Sequence, residues 1–79
     1  METKERIINL LSEKLGYDTT EIKENQDFVS DLGTDSLDMV EIIMGIEQEF
    51  GLTIDDSEIS EVKTVEDLIK KVENKRMGR

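Results

Sequence analysis

Apolar residues fall at helical spacing in three stretches of this chain and lose their period between the first and the second. Ile7, Ile8, Leu11 and Leu15 follow an i, i+1, i+4, i+8 pattern with Leu10 at its edge, which predicts an amphipathic helix over 3–15. Gly16 follows at once and suits a left-handed stop. In the second stretch two stripes run side by side: Met39, Ile43, Ile46 and Phe50, then Leu37, Val40 and Met44, with Ile42 adding width. That apolar arc is broader than one neighbouring helix covers. The helix expected over 36–50 is therefore central, or it also lines a cleft. Gly45 weakens it by roughly 1 kcal/mol relative to Ala, which a close helix approach would explain. Gly51 ends it.

Val65, Leu68, Ile69 and Val72 predict the third main helix, over 65–75. Thr64 is its expected cap, with Asp67 three residues on as an approximate capping box. Lys70, Lys71, Lys75 and Arg76 suit the C-terminal end of its dipole. Asp55-Asp56-Ser57-Glu58 offers several N-caps for a short helix over 56–60. Between Tyr17 and Asp35 no period holds. Loops longer than about 12–15 residues are uncommon in compact domains, and the scattered Ile22, Phe28, Val29 and Leu32 suggest that this one is pinned across the bundle. One helical turn is expected around Thr20–Glu24. The expected fold is all-α: a single domain over 1–79, with three main helices, one short helix and a long loop between the first and second helices.

Composition narrows what such a bundle does. With 79 residues there is no room for a deep enclosed active site; a domain this small buries only about 60% of the surface its unfolded chain exposes. No cysteine is present, which excludes disulfides and thiolate metal sites. No histidine is present either, which removes the usual general base and the commonest metal ligand. Twenty acidic residues against ten basic ones leave a charge of −10, a surface that repels nucleic acid and attracts basic partners. No apolar run approaches the roughly 20 residues of a membrane span, and no targeting segment is visible. A cytoplasmic protein is expected, and Met1 at the head of the chain suggests a complete gene product.

The segment with chemical content is Asp31-Leu32-Gly33-Thr34-Asp35-Ser36-Leu37-Asp38, where the loop becomes the central helix. Asp35 or Ser36 can cap that helix, and by itself Ser36 reads first as a plain N-cap serine. A phosphate ester on its hydroxyl would also sit well there, at the positive end of the helix dipole. A serine nucleophile needs an adjacent base, which a chain without histidine lacks. A calcium loop is the other reading of Asp31, Asp35 and Asp38, but the EF-hand spacing is not met and its bidentate Glu position falls on Ile42.

The run 31–38, followed by Val40-Glu41 and by Glu47 through Phe50-Gly51, resembles the acyl carrier proteins of fatty acid synthesis. Asp-Leu-Gly-x-Asp-Ser-Leu-Asp is that family's prosthetic-group signature, and the resemblance extends over essentially the whole chain. It implies that Ser36 is the attachment site of 4′-phosphopantetheine, delivered from coenzyme A by a phosphopantetheinyl transferase. It implies acyl intermediates carried as thioesters on the arm's thiol, with no catalytic residue and no metal in the chain itself. The implied partners are the transferase, malonyl transacylase, ketoacyl synthases, reductases, dehydratases and acyltransferases, met by a monomer. Asp35, Asp38, Glu41, Glu47 and Glu49 become the expected docking acids. Phe28, Val40, Met44, Ile54, Ile59, Val62 and Leu68 become the expected lining of an acyl cleft. Two positions depart from the family pattern. Thr34 stands where alanine is common and is expected to alter transferase fit slightly, and no proline follows Ile54, so the short helix over 56–60 is expected to start less rigidly. A polyketide, peptidyl or D-alanyl carrier is the nearest alternative, and an acidic interaction or calcium-binding module is the alternative of another class.

Overall fold

The structure, a computed structural model, describes residues 2–77. Four helices run in the order α1 (Glu2–Leu15), α2 (Ser36–Phe50), α3 (Asp56–Ile59) and α4 (Val65–Met77), with a 3-10 turn at Thr19–Glu21 in the long loop. No strand occurs among the described residues; the nearest approach to one is a single antiparallel bridge between Asp27 and Thr64.

Each helix boundary has a local cause. Gly16 and Gly51 take the left-handed backbone that closes α1 and α2, at φ 81° and 67°. The 3-10 turn sits at Thr19–Glu21, not over 20–24, because Asp18 caps it: its Oδ1 accepts from the Thr20 N–H at 3.1 Å and its own N–H donates to Glu21 Oε1 at 2.9 Å. Ile22 then turns extended, which buries its side chain and stops the turn. α3 ends at Ile59, one residue before the expected 60. It has a cap without proline, since Glu58 Oε1 accepts from the Asp55 N–H at 2.9 Å. α4 continues past the expected 75, because Lys75 and Arg76 find partners: Lys75 pairs with Glu58 at 2.9 Å, and Arg76 lies 5.0 Å over the Phe50 ring. Thr64 and Asp67 form the expected box at its start, each side chain accepting the other's N–H at 3.1 Å.

Three helices and the loop share one core. Ile7 and Leu11 of α1, Ile42 and Ile46 of α2, and Val65, Leu68 and Val72 of α4 are fully buried. α1 crosses α2 closely at Gly45, where a Cβ would lie 3.2 Å from Leu10 Cδ1. That is the tight approach the glycine implied. At the C-terminal end of α2, Phe50 is held between two guanidinium groups, Arg6 at 4.4 Å and Arg76 at 5.0 Å from the ring centroid. Arg6 also donates to Glu49 Oε2 at 3.0 Å and to the Glu49 carbonyl at 2.9 Å.

The long loop is part of the core, as its scattered apolar residues implied. Ile22, Phe28 and Leu32 are buried. Its backbone is zipped to the segment before α4: Phe28 N–H donates to Lys63 O at 2.9 Å, Val65 N–H to Gln26 O at 3.1 Å and Glu66 N–H to Glu24 O at 2.9 Å. The radius of gyration, 11.4 Å, matches the roughly 11.6 Å of a close-packed chain of this length, so the loop adds no overhang.

Two predictions follow from this packing. Phe28 is 2% exposed, and removing such a ring costs about 3–5 kcal/mol against a total stability of order 4–12 kcal/mol for a domain of this size. Phe28→Ala should lose a quarter or more of the unfolding free energy in a urea titration; a loss below about 1 kcal/mol would mean that the loop is not part of the core. The second concerns acid. Backbone N–H groups of Ser30 and Val29 hold the Asp27 carboxyl below its ordinary range, those of Lys63 and Thr64 do the same for Asp67, and the Asp55 N–H and Lys75 do so for Glu58. A carboxyl lowered on folding stabilises the fold above its unfolded pKa, and that stability is lost as pH falls through the carboxylate range. Tm should therefore fall from about pH 5 downward, less steeply in Asp67→Asn than in the parent chain. Identical slopes would contradict the assignment.

Candidate functional site

The start of α2 divides three tasks among three neighbours. Asp35 is the cap: its Oδ1 accepts from the Asp38 N–H at 2.9 Å, and Asp38 Oδ2 reaches back to the Asp35 N–H at 3.3 Å. Ser36 is the first helical residue, not the cap, and is exposed. The hydroxyl that the sequence offered as a cap is thus released from that duty. It stands at the positive end of a 15-residue helix, where a phosphate ester is favoured.

Thr34 corrects an expectation. It does not alter the surface beside Ser36, because it is 4% exposed and points inward. Its N–H and its hydroxyl both donate to the Phe28 carbonyl, each at 2.9 Å. Gly33 precedes it at φ 70°, the left-handed turn that brings residue 34 back over the loop. The residue two before Ser36 is therefore bolted to the backbone of the loop's most buried residue.

The five expected docking acids separate into two groups. Asp35, Asp38 and Glu41 lie on the first two turns of α2, with Asp35 and Glu41 exposed and Asp38 half-buried. Glu47 and Glu49 are engaged within the molecule. Glu47 Oε2 accepts the Ile54 N–H at 2.9 Å, which fixes the return from α2 to α3, and Glu49 pairs with Arg6. Alongside the first group runs an apolar stripe at i, i+3, i+7: Leu37, Val40 and Met44, which are 67%, 50% and 53% exposed.

That stripe overturns two of the expected cleft positions. Val40 and Met44 face solvent, because the sheltered side of α2 is taken by Met39, Ile42, Ile43 and Ile46. Met44 borders a shallow surface groove with Lys14, Glu41 and Gln48. A separate cavity of about 310 Å³ is lined by Asp27, Phe28, Val29, Met39, Ile59, Val62 and Lys63. Phe28, Ile59 and Val62 are therefore brought together as expected, whereas Ile54 and Leu68 are buried in the core behind it. Met39 was missed as a lining residue. Its spacing from Ser36, i to i+3, was the available signal, since it places both on one side of the helix about a turn apart. The cavity thus opens next to the start of α2. Among the described residues no three acidic side chains are grouped as a metal site requires.

Comparison with known proteins places this arrangement. The family described as "Phosphopantetheine attachment site" matches residues 5–72. An acyl carrier protein of Nitratidesulfovibrio vulgaris is 41% identical over 76 residues, covering 96% of this chain and all of the relative. One of Thermotoga maritima is 39% identical over 70 residues, covering 89% of this chain and 86% of the relative. A solved chain from Mycobacterium tuberculosis, whose description assigns it to the same class, superposes with a TM-score of 0.86 at 33% identity, over 91% of this chain and 96% of that one. The chain belongs to the acyl carrier proteins, the phosphopantetheine-bearing carriers. The start of α2 suits that group: an exposed primary hydroxyl, a helix N-terminus that favours a phosphate ester, and, one turn away, a cavity whose lining includes Phe28, Met39, Ile59 and Val62.

Thr34 supplies the test of this geometry. Thr34→Val keeps the shape and removes the hydroxyl bond, which should cost about 1 kcal/mol, while Thr34→Ser keeps the donor and should lose less. Chemical denaturation of both variants checks the order, and a Val variant as stable as the parent would show the hydroxyl bond to be idle.

Proposed function

We propose that this chain carries acyl groups as thioesters on a 4′-phosphopantetheine arm joined to Ser36, within fatty acid biosynthesis. The observation that supports this reading most is the release of Ser36 from capping: Asp35 takes the cap and leaves the exposed serine hydroxyl at the helix N-terminus. Attachment transfers the phosphopantetheine phosphorus of coenzyme A to the Ser36 oxygen. A phosphoester bond to serine forms, the pyrophosphate bond of coenzyme A breaks, and adenosine 3′,5′-bisphosphate leaves while the serine proton passes to a base on the transferase. The chain's own residues hold the hydroxyl in place and present it. When bound, the arm supplies the thiol that the cysteine-free chain lacks.

Catalysis on the cargo then belongs to the partner enzymes, and the chain itself is not an enzyme. Asp35, Asp38 and Glu41 would steer basic surfaces of the transferase, malonyl transacylase, ketoacyl synthases and the reductive enzymes. The exposed Leu37, Val40 and Met44 beside them would meet the apolar centre of the same footprint. Electrostatic steering suits a shuttle, because it raises association rates without slowing release. No helix among the described residues is long and apolar enough to cross a membrane, and we place the carrier in the cytoplasm as a single-domain monomer.

Two experiments test this reading. Incubation with coenzyme A and a phosphopantetheinyl transferase should add one arm's mass to the parent chain and none to Ser36→Ala; an arm on the Ala variant would remove Ser36 from its role. The transferase's kcat/KM should drop as ionic strength rises and in Glu41→Gln, through association rather than turnover. Efficiency indifferent to both would remove the acids from docking.

A further inference from the structure

The cavity beside Met39 has three walls, held by different means. The loop wall is held by backbone, since Phe28 N–H donates to Lys63 O and the Phe28 carbonyl accepts both Thr34 donors. The α2 wall belongs to a helix fixed along its length by the buried Ile42, Ile43 and Ile46. The third wall is Ile59 of α3, with Val62 just beyond it. α3 has only four residues, and ion pairs tie its segment to α4: Lys75 Nζ to Glu58 Oε2 at 2.9 Å, and Lys71 Nζ to Glu61 Oε1 at 2.8 Å. Glu61 stabilises the Lys71 ammonium in its charged form, and the Glu58 carboxylate is stabilised first by the Asp55 N–H and then by Lys75. Glu58 and Ile59 are adjacent on the helix, and successive side chains diverge by about 100°. The same turn therefore presents one residue to α4 and the next to the cavity.

We propose that Lys71 and Lys75 are specificity-determining residues of the carrier: by tying α3 to α4, they set how long an acyl chain the cavity shelters. This rests on the carrier reading above. A short chain is taken up without moving a wall. A longer one requires the cavity to widen, and α3 is the wall that yields, because it is only four residues long, Ile59 is packed at the edge of the core rather than within it, and its polar ties to α4 are ion pairs at the surface rather than backbone bonds. The pairs are 22–67% exposed at the side chains involved, so each biases the equilibrium between sheltered and exposed cargo by no more than about fivefold. That is enough to separate neighbouring chain lengths and small enough for salt to tune.

The test uses the full chain bearing its arm, loaded with butanoyl or decanoyl groups, in the parent, in Lys71→Met/Lys75→Met and in Lys70→Met. Methionine keeps the apolar stem, and Glu58 stays in place because it also holds the Asp55 N–H. Lys70 pairs with Glu66 inside α4 and does not reach α3, so its variant controls for the loss of a positive charge. The readout is the rate of thioester cleavage by hydroxylamine. The proposal predicts that the double variant protects the decanoyl thioester about two- to fivefold better than the parent, with butanoyl unchanged and Lys70→Met like the parent. High salt should bring the parent toward the double variant for decanoyl cargo. Equal rates in parent and double variant at both lengths, or faster cleavage in the double variant, would overturn the proposal. Intact mass separates the two levels of failure: no arm on any of the chains overturns the carrier reading and the proposal with it, whereas arms on all with unchanged cleavage rates overturn the proposal alone.

Discussion

The Phe28 residue is the point on which the rest of this structure depends. Its ring is buried among the three main helices, which pins a loop that would otherwise be too long for so small a domain. Its N–H reaches the segment before α4, and its carbonyl collects both donors of Thr34. Two residues further on stands Ser36. The position of the Ser36 hydroxyl is therefore fixed from below by hydrophobic burial, not by any contact the serine itself makes. The same ring lines the cavity, so one residue organises both the start of α2 and the cavity beside it.

A second division of labour runs along α2. Every third or fourth residue of its inner face is committed to the core, and that commitment pushes Leu37, Val40 and Met44 outward. Exposed apolar residues next to Asp35 and Glu41 are unfavourable in a protein that stays alone, and useful in one that binds many partners briefly. The acids at the far end of the helix have local employment: Glu47 fixes the turn toward α3, and Glu49 helps to clamp Phe50 through Arg6. The acids and apolar side chains left free for the proposed docking thus lie on the first half of the helix, nearest Ser36.

Much of this was legible in the sequence, and the failures share a cause. Helix positions followed from apolar spacing and from Gly16, Gly51 and Thr64, all of which are local signals. The attachment segment stood out as a motif. What spacing does not reveal is which of two apolar stripes on a helix faces inward. Both stripes of α2 read as buried or cleft-lining, and only the packing of α1 against Gly45 and of the loop against α2 decides that Val40 and Met44 are outside. Thr34 was misread for a related reason: a loop threonine looks like surface until its carbonyl partner six residues back is known. Glu47 and Glu49 looked like two more acids in a row because their partners, Ile54 and Arg6, come from other elements.

The central claim is that this fold exists to present one serine. The most direct measurement is peptide fragmentation by mass spectrometry of the chain isolated from a host that contains a phosphopantetheinyl transferase. The chain offers serines at positions 12, 30, 36, 57 and 60 and several threonines. The account predicts that the phosphopantetheine is found on Ser36 alone. An arm on any other residue, or unmodified Ser36 in a host that modifies other carriers, would contradict it.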